Sequence, residues 1–95
     1  MLIIWEDLPL VADKSMQQAL RGIDSKKLAL ALHEAAEEIK HKIRANISER
    51  ANAMLDEEIS LMGMVKKEEV AEAREELVKV VREMNLKGEL MFVEG

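Results

Sequence analysis

The sequence predicts an all-α protein, a compact bundle of short helices with one longer C-terminal helix. Three observations carry this. Apolar residues recur at helical spacing through most of residues 13–87. The only proline is Pro9, so no ring breaks a helix after it. The one stretch that alternates like a strand, residues 28–32 (Leu-Ala-Leu-Ala-Leu), has no second strand to pair with, and Leu and Ala are strong helix formers. The 95 residues fit one domain, and 48% hydrophobic residues suffice for its core. The aromatics are Trp5 and Phe92, so that core is built from Leu, Ile, Val, Ala and Met. The expected division is an apolar, hinge-like segment over residues 1–12 and a single helical domain over 13–95.

The elements follow in order. Residues 2–8 form a short helix or an extended hinge. Asp13 or Ser15 caps a helix to about Arg21, with Met16, Ala19, Leu20 and Ile23 on one face. Asp24 caps a second helix over residues 26–35. Ala36, Ile39, Ile43 and Ile47 mark the inner face of the third. Ser48 caps an amphipathic fourth helix ending at Gly63, with Ala51, Met54, Leu55, Ile59 and Met62 as its apolar stripe. The fifth spans residues 67–87, with Val70, Ala73, Leu77, Val81 and Met84 at helical spacing and Glu75 placed to pair with Lys79. Gly22, Gly63 and Gly88 each follow a helix-like run, where a left-handed residue is expected. Residues 90–93 read as an extended tail.

Composition removes several chemistries. There is no cysteine, hence no disulfide, thiolate zinc site or cysteine nucleophile. No apolar run approaches the ~18 residues of a membrane span, so direct membrane insertion is not expected. Residues 1–47 carry 7 basic and 7 acidic side chains and residues 48–95 carry 7 and 12, which puts the whole excess of −5 in the second half. Such a half repels phosphate backbones, so nucleic acid is not the expected partner, and a basic or mixed-charge protein surface fits better.

Catalytic and metal motifs are incomplete. The run His33-Glu34-Ala35-Ala36-Glu37 lacks the second histidine of a zinc protease helix. Glu38-Ile39-Lys40-His41 matches one di-iron Glu-x-x-His, where two copies are needed. His33, Glu37 and His41 would share a stripe only on a continuous helix. No phosphate loop or nucleophile elbow occurs. The expectation is no enzyme, no cofactor and no metal.

Glu58 conflicts with its helix. With Arg50 at 0° and about 100° per residue, the apolar residues span about 20–180°. Glu57, at about 340°, shares an outer stripe with Arg50. Glu58, at about 80°, falls inside the apolar arc. Either it snorkels to water from a loose edge, or an internal basic partner holds it, because an unpaired buried charge is costly. The expectation is a partly buried Glu58 bonded to Arg50 or, more easily, to a basic residue of the preceding helices such as Arg44.

An ordered set of segments then points to a family. Glu6-Asp7-Leu8, Asp13-Lys14-Ser15-Met16-Gln17, the Leu-Ala run at 28–32 and Asn46-Ile47-Ser48-Glu49-Arg50-Ala51 come first. Leu55-Asp56-Glu57-Glu58, Met62-Gly63-Met64-Val65-Lys66, Val70-Ala71-Glu72-Ala73 and Gly88-Glu89 follow. The sequence resembles the C-terminal helical subdomain of the bacterial flagellar motor switch protein FliG over nearly its whole length. The resemblance implies a cytoplasmic rotor part for motility and chemotaxis, at the inner face of the bacterial inner membrane in the flagellar basal body. Its partners would be a stator protein of MotA type and neighbouring rotor subunits. It would receive torque through charged side chains and support switching of direction.

The family's functional arginine corresponds to Arg50, its acidic pair to Glu57 and Glu58, and its basic residue after the Gly-Pro-Val turn to Lys66. The family lysine after the Leu-Ala run corresponds to His33, followed by Glu34 in place of glycine. Met64 replaces the turn proline. The Met-Phe-x-Phe hinge corresponds to Leu2, Ile3, Ile4 and Trp5, which are expected to pack on the bundle or on a neighbouring chain. The family's N-terminal and middle domains, with their Glu-His-Pro-Gln-Arg surface, have no counterpart, so the chain is an excised domain or a stand-alone paralogue. A different reading of the same residues is a helical scaffold module that self-assembles through the apolar N-terminal segment.

Overall fold

A computed structural model describes residues 2–94. A 3-10 helix, Trp5–Leu10, is followed by five α-helices: α1 (Asp13–Leu20), α2 (Ser25–Ala31), α3 (Glu37–Arg44), α4 (Glu49–Leu61) and α5 (Lys67–Leu86). The all-α expectation holds, and residues 28–32 turn helically as their propensities demand. The core is aliphatic. Leu8, Met16, Ile43, Leu55, Leu77 and Val81 are fully buried, and Ala19, Ala29, Ala31 and Ala73 let the backbones of α1, α2 and α5 approach.

Residues 2–4 are extended, so side chains alternate: Ile3 and Trp5 are buried, Leu2 and Ile4 exposed. Half of the apolar N-terminal set therefore packs on the bundle. Arg82 Nε donates to the Ile3 carbonyl (2.7 Å), and the Arg74 guanidinium lies 4.9 Å from the Trp5 ring centroid. At the other end, residues 91–93 lie antiparallel to 10–12. The Ala12 N–H bonds the Met91 carbonyl (2.8 Å), and the Val93 N–H bonds that of Leu10 (2.7 Å).

Two expected caps form. The Asp24 carboxylate accepts from the Lys27 N–H and the Ser48 hydroxyl from that of Ala51. The cap expected for α1 does not. The N-cap is Ala12, because both polar candidates are engaged elsewhere. Asp13 turns to Lys42 and Asn46 on the α3 side, and the Ser15 hydroxyl accepts the Met91 N–H.

The second helix stops at Ala31, four residues early. Glu34 adopts φ +55, a left-handed conformation that ends the turn and starts a new helix direction. His33 therefore lies in the turn after α2 and His41 on α3, and the three residues His33, Glu37 and His41 share no continuous helical stripe. Ala36 becomes the exposed N-cap of α3 rather than part of its inner face.

Of the three glycines expected to be left-handed, only Gly88 is, at φ +72. It closes α5 with paired bonds, Gly88 N–H to the Asn85 carbonyl and Glu89 N–H to that of Met84. Gly22 and Gly63 keep negative φ, since the chain leaves those helices by other turns. The Glu75–Lys79 pair does not form either. Glu75 bonds Arg82 two turns on (2.9 Å), where the guanidinium is already fixed on Ile3.

Candidate functional site: the α4 ridge and its flanks

Helix α4 packs mainly against α2, and Leu55 is its one buried residue. Only Leu55 of its expected stripe is buried; Ala51 and Met62 are half-buried, and Met54 and Ile59 are exposed. The α3 side of α4 is held by polar contacts instead. Arg44 Nη2 reaches Asp56 Oδ1 (2.8 Å), Arg44 Nη1 reaches Asn52 Oδ1 (3.2 Å), and Asn52 Nδ2 donates back to the Arg44 carbonyl (3.0 Å).

Arg50, Glu57 and Lys66 are all exposed, Arg50 and Glu57 on the outer side of α4 and Lys66 in the loop that precedes α5. No ion pair joins them among the described residues, so their charges are available to a partner. Glu58 is half-buried, as its wheel position demanded, but no ion pair to it forms among the described residues. Arg44 is committed to Asp56, and Arg50 lies on the outer stripe. Glu58 instead borders a depression of about 240 Å³ with Lys26, Ala29, Leu30, Leu61 and Met62. A loose apolar edge open to water relieves the carboxylate without a bonded partner.

His33 is half-buried at the α2–α3 turn. It lines one hollow of about 350 Å³ with Ile59, Met62 and Gly63. It lines another of about 480 Å³ with Val65 and Lys67. It therefore faces the α4–α5 loop that carries Lys66. Arg74 fixes this corner from below, its Nε on the Ala31 carbonyl (2.9 Å) and its Nη2 on that of His33 (3.0 Å). Arg50, Glu57, Glu58 and Lys66 thus lie along one helix and its exit loop, and His33 faces that loop from the α2–α3 turn. Along that axis Arg50 and Leu61 are about 16 Å apart, at about 1.5 Å per residue. Such a ridge can present alternating charge to a surface; it encloses no substrate.

The ridge has an origin in local sequence. Ser48 sets the start of α4, and Leu55 is the one side chain that anchors it in the core. Arg44 does bridge to α4, on Asp56 and Asn52 instead of Glu58, whereas helical spacing carries no signal for the anchoring roles of Arg74 and Arg82. Each acts on a backbone carbonyl or a side chain of a distant element, a pairing that periodicity does not encode.

Comparison with known proteins agrees with this architecture. The FliG C-terminal domain family matches residues 1–92. The flagellar motor switch protein FliG of Thermotoga maritima is 37% identical over 94 residues, 99% of this chain and 28% of that protein. The protein of the same name from Borreliella burgdorferi is 33% identical, over 99% of this chain and 27% of that protein. Full-length FliG from Aquifex aeolicus superposes with a TM-score of 0.83 at 32% identity, covering 97% of this chain and 28% of that one. FliG residues 116–343 from H. pylori give 0.84 at 27%, covering 94% and 39%. The chain spans less than a third of the length of the Thermotoga maritima and Borreliella burgdorferi proteins. The family is one of motor switch proteins and not of enzymes, and no described helix is long and apolar enough to cross a membrane. The chain belongs to the FliG C-terminal domain family of flagellar motor switch proteins.

Proposed function

We propose that this chain is a rotor-side interaction domain of the flagellar motor switch. It engages the cytoplasmic loop of a MotA-type stator protein through the α4 ridge, transmits torque and supports switching of direction. Its place of work is the cytoplasmic face of the inner membrane, in the basal body. Arg50, Glu57 and Lys66 supply the charges, with Glu58 and His33 flanking them. The observation that carries the reading is the outward, unpaired placement of Arg50 and Glu57 on a helix held by few core contacts. Exposed charges of opposite sign steer a partner and release it quickly, which suits a contact remade at every step. Leu2 and Ile4, turned outward from a segment whose Ile3 and Trp5 are anchored, offer an assembly surface for neighbouring rotor subunits.

The test is Arg50→Glu with Lys66→Glu in cells that swim with this protein. Swimming should fall while the helical content of the purified chain stays unchanged, and a compensating charge change on the stator loop should restore part of it. Unchanged motility in the double variant would overturn the assignment.

A further inference from the structure

Helix α2 is shorter than its sequence asks for. Residues 32–37 read Leu-His-Glu-Ala-Ala-Glu, all able to continue a helix and free of proline and glycine. The pattern predicts a helix to residue 35, yet α2 ends at Ala31. Its exit tightens instead. The His33 N–H bonds the Leu30 carbonyl (3.2 Å) and the Ala35 N–H that of Leu32 (3.1 Å), each three residues back. Glu34 takes the left-handed φ of +55, which a residue with a Cβ populates roughly tenfold less than its ordinary conformations. Such a conformation persists only where its surroundings hold it.

Arg74 of α5 supplies the hold. Its Nε donates to the Ala31 carbonyl (2.9 Å) and its Nη2 to the His33 carbonyl (3.0 Å). In a longer α2 these two carbonyls would accept from the N–H groups four residues on, those of Ala35 and Glu37. Arg74 therefore stands in for the helical partners and satisfies acceptors that the early end of α2 leaves open. The guanidinium lies over the buried ring of Trp5, 4.9 Å from its centroid, and that flat face orients it. Trp5 is held in turn through its own segment. Arg82 Nε donates to the Ile3 carbonyl (2.7 Å), and Glu75 fixes Arg82 (2.9 Å).

We infer that residues 32–35 are a two-state switch that Trp5 sets through Arg74. With Trp5 seated, Arg74 keeps α2 short and Glu34 left-handed. With Trp5 withdrawn, the guanidinium loses the face that orients it. Glu34 then relaxes to negative φ, the Ala35 N–H bonds the Ala31 carbonyl, and α2 gains a turn. Backbone strain and the helical bonds forgone favour the long form, while two charge-assisted hydrogen bonds favour the short one. Opposing contributions of similar size are what a reversible switch requires. The same change re-aims His33, so the seating of the N-terminal segment governs the corner that faces the α4–α5 loop. None of the switching residues lies on α4, so the switch stands whether or not that helix meets a stator.

The test is NMR of the isotope-labelled chain. Relaxation dispersion should show microsecond-to-millisecond exchange over residues 32–36, with the Cα shift of Glu34 moved toward helical values in the minor state. Trp5→Leu keeps an apolar side chain but offers no ring, and should raise the minor population about threefold. Arg74→Met removes both donors and should raise it about tenfold or more, with slower hydrogen exchange at the Ala35 amide. Glu34→Gly removes the left-handed cost, so it should quench the exchange and, added to Arg74→Met, restore the short helix. An unchanged Glu34 shift in Arg74→Met, or faster amide exchange across the whole segment, would mean that no longer helix exists and would overturn the switch. A longer α2 in Arg74→Met with no change in Trp5→Leu would overturn the control by Trp5. Should Arg74→Met not fold, the unaltered chain and Glu34→Gly decide: exchange that is absent, or that survives the glycine, overturns the switch.

Discussion

Arg44, the last residue of α3, holds Asp56 of α4 at 2.8 Å while exchanging hydrogen bonds with Asn52 one turn earlier. This contact ties the lightly packed helix to α3. It also commits the Arg44 guanidinium to Asp56 and Asn52 rather than to Glu58, to which no ion pair forms among the described residues.

Asp56→Ala should therefore destabilise the domain more than Glu58→Ala. A partly exposed ion pair is worth about 0.2–1 kcal/mol, and hydrogen bonding through Asn52 places this one toward the upper end. Removing Glu58 breaks no bond, so its loss should lie within about 0.5 kcal/mol. Urea unfolding of the two variants gives the comparison. A larger loss for Glu58→Ala would mean that its depression holds a bonded partner after all.

The contrast between Glu58 and Leu55 shows what the sequence could disclose. Periodicity located the apolar arc of α4, and Leu55 at its centre is buried. Periodicity does not say how far the neighbouring helices extend over that arc, and Met54 and Ile59 of the same apolar stripe lie exposed. The early end of α2 was hidden because Glu34 is not a residue that normally takes a left-handed turn. Only its place opposite a family glycine hinted at the break. The ridge was legible because Arg50 and Glu57 share a wheel position, which is local information. The arginine contacts to Ala31, His33 and Ile3 are long-range, and nothing in helical spacing announces them.

Arg74 joins three elements through one planar group: it bonds the Ala31 and His33 carbonyls and lies over Trp5. Lysine has neither the fork nor the flat face. Arg74→Lys should cost about 1–3 kcal/mol, since it leaves part-buried carbonyls at the end of α2 underbonded. Thermal unfolding measures the loss. The emission of Trp5, which is buried in the native chain, should move to the red. A variant with unchanged stability and emission would show that the corner is held by apolar packing alone.

Asp13 gives the domain an acid-sensitive contact. Its carboxyl is held below the ordinary value of 3.8 by hydrogen bonds from Lys42 (2.8 Å) and Asn46 (3.1 Å) and by the Lys42 charge. A carboxylate whose folded pKa is depressed contributes stability that is present above its unfolded pKa. That contribution is lost as pH falls through the folded one. Native stability should thus fall faster below about pH 4 than in Asp13→Asn, which should be less stable at neutral pH and flatter in acid. Urea midpoints between pH 7 and pH 2 test both. Parallel curves for the two proteins would remove Asp13 from the acid response.

Glu34 stands at φ +55 in the turn between α2 and α3, where a side chain crowds its own backbone. Its side chain is exposed and makes no ion pair among the described residues, so little is lost by removing it. Glycine adopts this conformation without the steric cost, although it also gains freedom in the unfolded chain. The first effect is about 1–2 kcal/mol and the second somewhat under 1, so Glu34→Gly should stabilise the domain by about 0.5–1 kcal/mol. Glu34→Ala keeps the Cβ and the strain, and should give no such gain. Thermal unfolding of the pair separates backbone relief from the loss of one acidic charge in a protein of net charge −5. If alanine stabilised as much as glycine, the gain would come from the removed charge, and the left-handed turn would carry no strain.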